Sequence, residues 1–444
     1  MRSTGTLSIP LRSPQATLAL PDRGHYGEEA IWFNAARFIL MVVLFLAPLA
    51  FGAVEPWAFG SIILLTVAAL FCWAAGCVSE QRIVLLRTPI YIPALLFAAF
   101  AAVQLFTGRT ADRIATRDSL LACSAYLLVF TLSGSLFSYR GTRQWSQFGQ
   151  AVTIYSLVLS LFSIIQFFTA PERIYWTVIP RWGGSIFGPY VNHDHYAGLM
   201  EMLFPITAMF WITRPRDDAW SYWAGFATLS SLSSVALCGS RTGIASLLIE
   251  VIVLAFIATV YRRQNRTQHG AGAGLALGIL GAALFIAWLI PAEVAAHWQL
   301  AVQSPTIEMR TRTAMTRDSF SILRAHPWTG VGLGAFETVY PQYQSFASDL
   351  RIGHAHNDYA ELLAETGAAG GLCMLAALTL FLIACWRNLR QTLSGMSGST
   401  SLLQLATAVA CGGLLLHSFF DFNLHIPANA AWFAFCAGIA SIRG

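Results

Sequence analysis

The chain has 444 residues, of which 56% are hydrophobic and 11% charged, with a net charge of +5 and a mean hydropathy of +0.58. Soluble domains carry about 25% charged residues, so this composition cannot solvate a globular surface of this size. A soluble domain, a disordered chain, a coiled coil and a disulfide scaffold are therefore excluded, and a polytopic helical membrane protein remains.

Apolar runs long enough to cross a bilayer recur along the whole chain. A spanning helix needs about 20 mostly apolar residues. A polar stretch of about 30 residues precedes the first run, which is therefore not expected to be a cleaved signal peptide. The sequence predicts an all-α membrane protein with twelve transmembrane helices, at 33–54, 57–78, 90–107, 119–137, 148–170, 195–213, 219–238, 242–261, 270–291, 367–386, 399–417 and 428–443.

The distribution of arginine predicts the orientation of the chain. All 27 basic residues are arginine, and with a cytoplasmic N-terminus sixteen of them lie in inside segments and eleven in outside segments. Five of those eleven lie in one long loop, to which the positive-inside rule does not apply. The short segments therefore divide sixteen to six, and both termini are expected in the cytoplasm. Eight of the ten histidines then lie on or near the outer face.

One outer loop is exceptionally long and divides the chain into four predicted parts. It covers residues 292–366, whereas loops longer than about 12–15 residues are uncommon and usually functional. An amphipathic stretch and a cluster of glycines within it predict a small helical cap over the membrane. The predicted parts are a cytoplasmic tail at 1–32, spans one to nine within 33–291, the cap at 292–366 and spans ten to twelve within 367–444.

Histidines and carboxylates precede the tenth predicted span. The segment His354–Tyr359 contains a His-Ala-His-Asn-Asp-Tyr sequence, and Glu361 and Glu365 follow it. Asp358, Glu361 and Glu365 are spaced by three and four residues, so they share one face of a helix. A carboxylate face beside two histidines can hold and polarise a general base. The alternative is an ordinary helix cap with a solvated acidic face.

A related pattern opens the sixth predicted span. The segment Asn192–Tyr196 reads Asn-His-Asp-His-Tyr and follows a glycine-rich turn that begins near Arg181. The alternative interpretation is an interfacial belt of histidine and tyrosine.

A charged residue also lies at the short connection between the seventh and eighth predicted spans. Arg241 is expected at the membrane edge, where a charge is costly and therefore indicates a functional site. Ser240 could cap the eighth helix, and a guanidinium beside free helix N–H groups suits a phosphate. The alternative is an arginine that extends to the interface.

Two further segments carry polar residues suited to a substrate. Arg310 and Arg312 lie on the amphipathic stretch of the cap and indicate an anionic ligand, with a solvated helix face as the alternative. Polar and aromatic residues alternate from His417 to Asn429, which could line a sugar-binding vestibule. The alternative for this last segment is an interfacial re-entrant turn.

Together these segments resemble the O-antigen ligase and O-antigen polymerase superfamily of bacterial envelopes. The resemblance covers roughly residues 150–430, and its most specific part is the His-Asn-x-Tyr…Glu-x-Gly segment after the long outer loop. The five matching places are Asn192-His193, Ser240-Arg241, the cap arginines before Pro327-x-x-Gly330-x-Gly332, His356-Asn357-x-Tyr359 with Glu365-x-Gly367, and His417 with Asp421.

The resemblance implies a glycosyltransferase of the bacterial inner membrane. Such proteins move a glycan from undecaprenyl diphosphate to an acceptor on the periplasmic face, without a metal or another cofactor. The implied partners are this lipid-linked donor, a glycan or lipid A–core acceptor and membrane lipids, with no nucleic acid. Polymerases extend another lipid-linked repeat unit and ligases transfer the finished chain to lipid A–core. The motifs are common to both, and polymerase is the preferred expectation.

The residue chemistry is compatible with departure of a lipid diphosphate. Without a metal, the developing charge of that leaving group needs guanidinium groups. Arg241 together with Arg310 or Arg312 could supply them. By analogy with the family, the displacement is expected to invert the anomeric centre.

The acceptor is a sugar hydroxyl, which is a poor nucleophile and needs a general base. His356 is the candidate base, with Glu361 or Asp358 to orient it. The candidate catalytic residues are thus His356 and Arg241. The candidate substrate-binding residues are Arg181, Asn192, His193, Arg310, Arg312, Asn357, Glu361, Glu365, His417 and Asp421.

Two other functional classes stay open from the sequence. Two His-x-His pairs with nearby carboxylates could form a zinc, copper or iron site of a metal-dependent membrane enzyme. The His-x-x-His-His boxes expected of di-iron desaturases are absent from the sequence. A transporter of polysaccharide or lipid-linked glycans is the other class, but transport pathways usually need more polar groups inside the spans. Glu201 and Glu250 are the only acids well inside them.

Overall fold

The computed structural model describes residues 26–138, 142–180, 184–215, 217–265, 305–348, 351–394 and 399–443. Within these ranges the chain is helical and forms no β-strand, which confirms the predicted all-α class. The helices are α1 Tyr26–Leu49, α2 Pro56–Ser79, α3 Tyr91–Thr107, α4 Arg113–Ser138, α5 Thr142–Thr169, α6 His193–Thr213, α7 Ala219–Cys238, α8 Arg241–Asn265, α9 Pro305–Ala325, α10 Phe336–Val339, α11 Asp358–Leu393, α12 Ser399–His417 and α13 Pro427–Ala440. Short 3₁₀ turns lie at Phe51–Ala53, Tyr340–Gln342 and Asn423–His425.

The apolar runs of the sequence correspond to these helices. In the described part of the chain, seven helices are long and apolar enough to cross a membrane, and three shorter apolar helices accompany them. The ninth predicted span, 270–291, lies outside the described residues. A helix lies at each of the other predicted positions. The total of twelve spans and the side of the membrane on which each loop lies stay predictions.

Helix α6 lies at the centre of the bundle. Every residue from Asp194 to Phe210 is buried, because α5, α7, α8, α12 and α13 all pack around this helix. Phe204 and Phe210 are among the largest fully buried side chains of the protein. The polar first turn of α6 is therefore enclosed by other helices rather than exposed at the surface of the bundle.

The outer helices present apolar stripes. On α2, Trp57, Leu64, Phe71 and Val78 are spaced by seven residues and are 62–72% exposed. Such a stripe is unfavourable in water and compatible with contact with lipid. The exposed stripe and the apolar helices together indicate a multi-pass membrane protein.

A break in α11 joins this helix to the segment that follows α9. Gly367 has φ +61° and ψ −162°, a conformation essentially restricted to glycine. A Cβ at this position would lie 2.5 Å from the carbonyl carbon of Trp328. The N–H groups of Ala368 and Ala369 donate instead to the carbonyls of Pro327 and Trp328, at 2.8 and 3.1 Å. The predicted tenth span begins at this break.

The described part of the predicted cap is helical and has its own small core. Helix α9 packs on α11, and Met315, Ile322, Phe336 and Tyr340 are buried together. This core attaches the cap to the first two turns of α11, before the break. Residues 292–304 and 349–350 of the predicted cap lie outside the described residues.

Candidate functional site

Segments that are distant in sequence meet at one end of the bundle. They are the first turns of α6, α8 and α11 and the loop at 418–426, which follows α12. Asn192, Ser240 and Asn357 cap the three helices, and each accepts a backbone N–H at 2.9 to 3.1 Å. Three capped N-termini with their partial positive charge therefore lie near one another.

Asp421 is fully buried and lies between two histidines. Its Oδ1 is 3.0 Å from Nδ1 of His356, and its Oδ2 is 3.5 Å from Nε2 of His195. Burial raises the pKa of Asp421, but the two histidines outweigh burial and hold this pKa below its usual range. The carboxylate is therefore ionised at neutral pH and fixes Nδ1 of His356. The side chain of His356 is itself 26% exposed.

The backbone of His356 is left-handed, with φ +49°. A non-glycine residue in this region costs about 1–3 kcal/mol and persists only where the surroundings determine it. Here Asn357 caps α11, and the N–H of Asp358 donates to the carbonyl of Ser418 at 3.0 Å. The Phe422 ring also contacts the imidazole edge-on, with 4.9 Å between centroids. The position of His356 is thus fixed from several sides.

Arg312 of α9 connects the cap to the start of α6. Its Nη2 donates to Oδ2 of Asp194 at 2.9 Å, and its Nη1 donates to the carbonyl of Phe420 at 2.5 Å. The other oxygen of Asp194 accepts from Oγ of Ser240 at 2.6 Å. Arg241, the first residue of α8, is exposed directly after this serine. Guanidinium groups beside a helix N-terminus are suited to binding a diphosphate.

A second cluster of histidines and carboxylates lies beside the first. Oε1 of Glu361 is 2.7 Å from Nδ1 of His354 and 3.4 Å from Nε2 of His425. Nδ1 of His425 is 2.7 Å from Oδ1 of Asp358. Burial lowers the pKa of His425, but the carboxylates of Glu361 and Asp358 outweigh burial and raise this pKa to about 10. The Phe422 ring stacks on His354 and also contacts the histidines around Asp421, so it joins the two clusters.

A cavity of about 450 Å³ opens beside both clusters. Its polar wall includes His195, His354 and His425, and its aromatic wall includes Phe51 and Tyr190. A cavity of this volume lies within the size range of small-molecule sites, and it borders the first cluster through His195 and the second through His354 and His425. The turn between α1 and α2 thus contributes to the same region as the loop after α12.

Several of the residues predicted from the sequence lie together in this region. His193 is 27% exposed, with its Nε2 3.4 Å from Oδ1 of Asp194. Asn192 Nδ2 is 3.5 Å from Nε2 of His195. The predicted residues that the structure brings together are Asn192, His193, Arg241, Arg312, His356, Asn357, Glu361 and Asp421.

The other predicted site residues lie elsewhere or have internal partners. His417 is fully buried and pairs with Glu201, with 2.7 Å between Nδ1 and Oε1. Glu365 is buried, and its Oε1 accepts from the backbone N–H of Phe336 at 3.1 Å, so this residue fixes the cap. Arg310 is exposed, two residues before Arg312 on the same helix. Arg181 lies outside the described residues.

The predicted partner of His356 was wrong. Glu361 or Asp358 was expected to orient this histidine, whereas the structure pairs it with Asp421. Glu361 pairs instead with His354, and Asp358 with His425. The reason is that α11 begins at Asp358, after the left-handed residue. Helical spacing therefore does not relate His356 to the carboxylates of α11.

Some residues of the site lie in the predicted segments but were not assigned a role of their own from the sequence. Asp194 and His195 lie within the Asn192–Tyr196 segment, where a carboxylate between two histidines is a usable signal. Phe422 and Asn429 lie in the polar and aromatic segment after α12. Asn429 Nδ2 donates to the carbonyl of His195 at 2.8 Å, which a local pattern does not reveal.

Comparison with protein families matches residues 226–375 to the family described as O-antigen ligase. This match confirms the resemblance to the O-antigen ligase and polymerase superfamily that the sequence motifs predict. The matched region includes Arg241, Arg312, His356 and Glu361, whereas Asp194 and Asp421 lie outside it. Comparison with curated proteins gave no match.

Proposed function

We propose that the protein is an inner-membrane glycosyltransferase of the O-antigen ligase and polymerase type. It transfers an oligosaccharide or polysaccharide from undecaprenyl diphosphate to a hydroxyl of an acceptor glycan on the periplasmic face. The family match supports this type of activity. The observation that carries the proposal is the contact of His356 with buried Asp421, next to the carboxylate that holds Arg312.

His356 acts as the general base in this proposal. Asp421 holds Nδ1 at 3.0 Å, so the ring receives the proton of the acceptor hydroxyl at Nε2. The ionised carboxylate then stabilises the imidazolium that forms. His354 has a comparable carboxylate contact, with Glu361 2.7 Å from its Nδ1. His356 is preferred because it, and not His354, is the histidine of the His-Asn-x-Tyr motif.

Arg312 and Arg241 stabilise the leaving group. As the new glycosidic C–O bond forms, the bond between the anomeric carbon and the diphosphate oxygen breaks. The electron pair of that bond stays on undecaprenyl diphosphate, and the guanidinium groups and the N-terminus of α8 offset the developing charge. These groups supply positive charge without a metal ion. Attack opposite to the leaving group inverts the anomeric centre.

The periplasmic orientation is supported by the arginine distribution and by the way the loops meet. The α1–α2 turn, the segment before α6, the start of α8 and the loop at 418–426 all have the predicted outside location. In the structure these segments contact one another around the cavity and around Asp194. An N-terminal cytoplasmic tail at 1–32 and a periplasmic cap at 292–366 are part of the same proposal.

The acceptor distinguishes two versions of this reaction. We prefer a polymerase, for which the acceptor is another undecaprenyl-linked repeat unit of a surface polysaccharide. A ligase that joins O-antigen to lipid A–core is the alternative, and it would use the same donor, base and arginines. Offering both acceptors to the purified protein separates the two versions.

The test of the proposal is transfer by purified protein in detergent, with EDTA present and undecaprenyl-diphosphate-linked glycan as donor. His356→Ala should lose transfer by about 10²–10⁴-fold, the usual contribution of a general base. His326→Ala is the matched control, because His326 is an exposed histidine of the cap segment. Near-normal transfer by His356→Ala would contradict the assignment of the base.

A companion experiment addresses the leaving group. Arg241→Lys keeps the charge but loses the planar fork that binds a diphosphate through two N–H groups. The variant should insert normally and lose most of its activity. Normal transfer would mean that Arg241 only anchors the start of α8 at the interface.

A further inference from the structure

Three potential metal ligands converge in the second cluster. They belong to His354, Glu361 and His425, and one ligand atom from each of these residues lies within 4.8 Å of the other two. Oε1 of Glu361 is closest to Nδ1 of His354 and also approaches Nε2 of His425. The three residues come from separate segments, namely the segment before α11, the first turn of α11 and the 3₁₀ turn after α12. Two imidazoles and one carboxylate are the ligand set of many zinc sites with one open position.

The surroundings orient two of the three ligands. Oδ1 of Asp358 holds Nδ1 of His425 at 2.7 Å, so the other ring nitrogen points to Glu361. A carboxylate behind a ligating histidine is the usual support of a zinc ligand. The backbone N–H of Ala355 donates to Oε2 of Glu361 at 2.7 Å, which directs Oε1 toward both histidines.

We propose that His354, Glu361 and His425 bind one zinc ion, with a water molecule from the adjacent cavity as the fourth ligand. This site lies beside the proposed base and is distinct from it, because neither Asp421 nor His356 is among the ligands.

One of the two distances to Glu361 already matches the separation that zinc requires, and the other is shorter. Ligand atoms around a tetrahedral zinc ion with bonds of about 2.0 Å lie about 3.3 Å apart. Glu361 and His425 already have 3.4 Å between the relevant atoms. The 2.7 Å between Glu361 and His354 must widen by about 0.6 Å. His354 and His425 are each about one-third exposed, so their rings can make this small movement.

The ion would fix the loop after α12 to the start of α11. His425 lies in the same loop as Asp421, and His354 lies two residues before His356. A metal link between His354 and His425 would therefore add to the direct contact that His356 and Asp421 already make between the same two segments. The role of the ion in this proposal is structural.

Zinc binding by the full-length purified protein tests the inference. Protein in detergent is stripped with EDTA, dialysed, and titrated with ZnCl₂, and the bound metal is measured by elemental analysis. We expect one zinc per chain, and Asp358→Asn should weaken binding by about 10–100-fold, as expected for loss of the support of a ligating histidine. His425→Ala and Glu361→Gln should lose stoichiometric binding, while His356→Ala and His326→Ala should keep it.

Co²⁺ substitution provides a second measurement that does not depend on activity. Cobalt in this site should give the visible absorption of a tetrahedral complex, and His425→Gln should remove it. Absence of stoichiometric zinc in the unmodified protein would overturn the proposal. Unchanged zinc affinity in a folded His425→Gln protein would overturn it as well. Neither result bears on glycan transfer, which is measured separately in the presence of EDTA.

Discussion

Replacing Asp421 with asparagine removes one negative charge at the centre of the candidate site and changes the side-chain shape very little. The carboxylate lies 3.0 Å from Nδ1 of His356 and is fully buried, so solvent does not screen this interaction. A hydrogen bond to a charged group contributes about 1.5–3 kcal/mol. If the imidazolium forms in the transition state, this loss lowers the transfer rate by about 10- to 150-fold, because about 1.4 kcal/mol corresponds to one factor of ten.

The assay is single-turnover transfer from undecaprenyl-diphosphate glycan, with the unmodified protein, Asp421→Asn, His356→Ala and the double variant. Groups that act as one unit have strongly non-additive effects. The double variant should therefore be no slower than His356→Ala alone. Asp118→Asn is the control, since Asp118 is an exposed aspartate that pairs with Arg117. A rate above half of normal for Asp421→Asn, or two losses that multiply in the double variant, would refute the paired roles.

Three further outcomes are expected. Arg312→Lys should lose most transfer, because one ammonium group cannot reproduce the two separate bonds that the guanidinium makes to Asp194 and to the carbonyl of Phe420. Normal transfer by this variant would contradict the role of Arg312 at the leaving group. Gly367→Ala should lower the unfolding temperature strongly, since the new Cβ would lie 2.5 Å from the backbone of Trp328, whereas Gly412→Ala has open space and should be neutral or stabilising. Equal effects of the two substitutions would contradict the close packing at the break in α11. A reporter fused after Arg263 should behave as cytoplasmic and one fused near Ser345 as periplasmic, and the reverse at either point would contradict the orientation.

The helices were predictable because each apolar run has the length that a membrane imposes. The predicted 219–238 coincides with α7, and the predicted 90–107 differs from α3 by one residue at its start. Chain breaks such as Gly367 were predicted less directly. The motif Glu-x-Gly was recognised as part of a family pattern, but its physical reason is the backbone of Trp328 against the glycine.

The candidate site was predictable in its residue types and not in its pairings. His356 and Asp421 are 65 residues apart, and their contact depends on how α12 packs against α6 and α11. The sequence therefore assigned His356 to a carboxylate that is close along the chain. Arg310 and Arg312 were equivalent in the sequence, and only the packing of α9 places Arg312 on Asp194. Local spacing determines which residues share a helix face, but it does not determine which helices meet.

The central claim is that this chain forms a glycosidic bond and releases undecaprenyl diphosphate from the donor. The ratio of the two products tests this claim most directly. Purified protein would be reconstituted in vesicles with an undecaprenyl-diphosphate-linked repeat unit, and both the extended glycan and the released lipid would be quantified. We predict one undecaprenyl diphosphate released for every new glycosidic bond, with both rates lowered about 10²–10⁴-fold in His356→Ala. Movement of the lipid-linked glycan across the bilayer without bond formation would contradict the claim and identify a transporter instead.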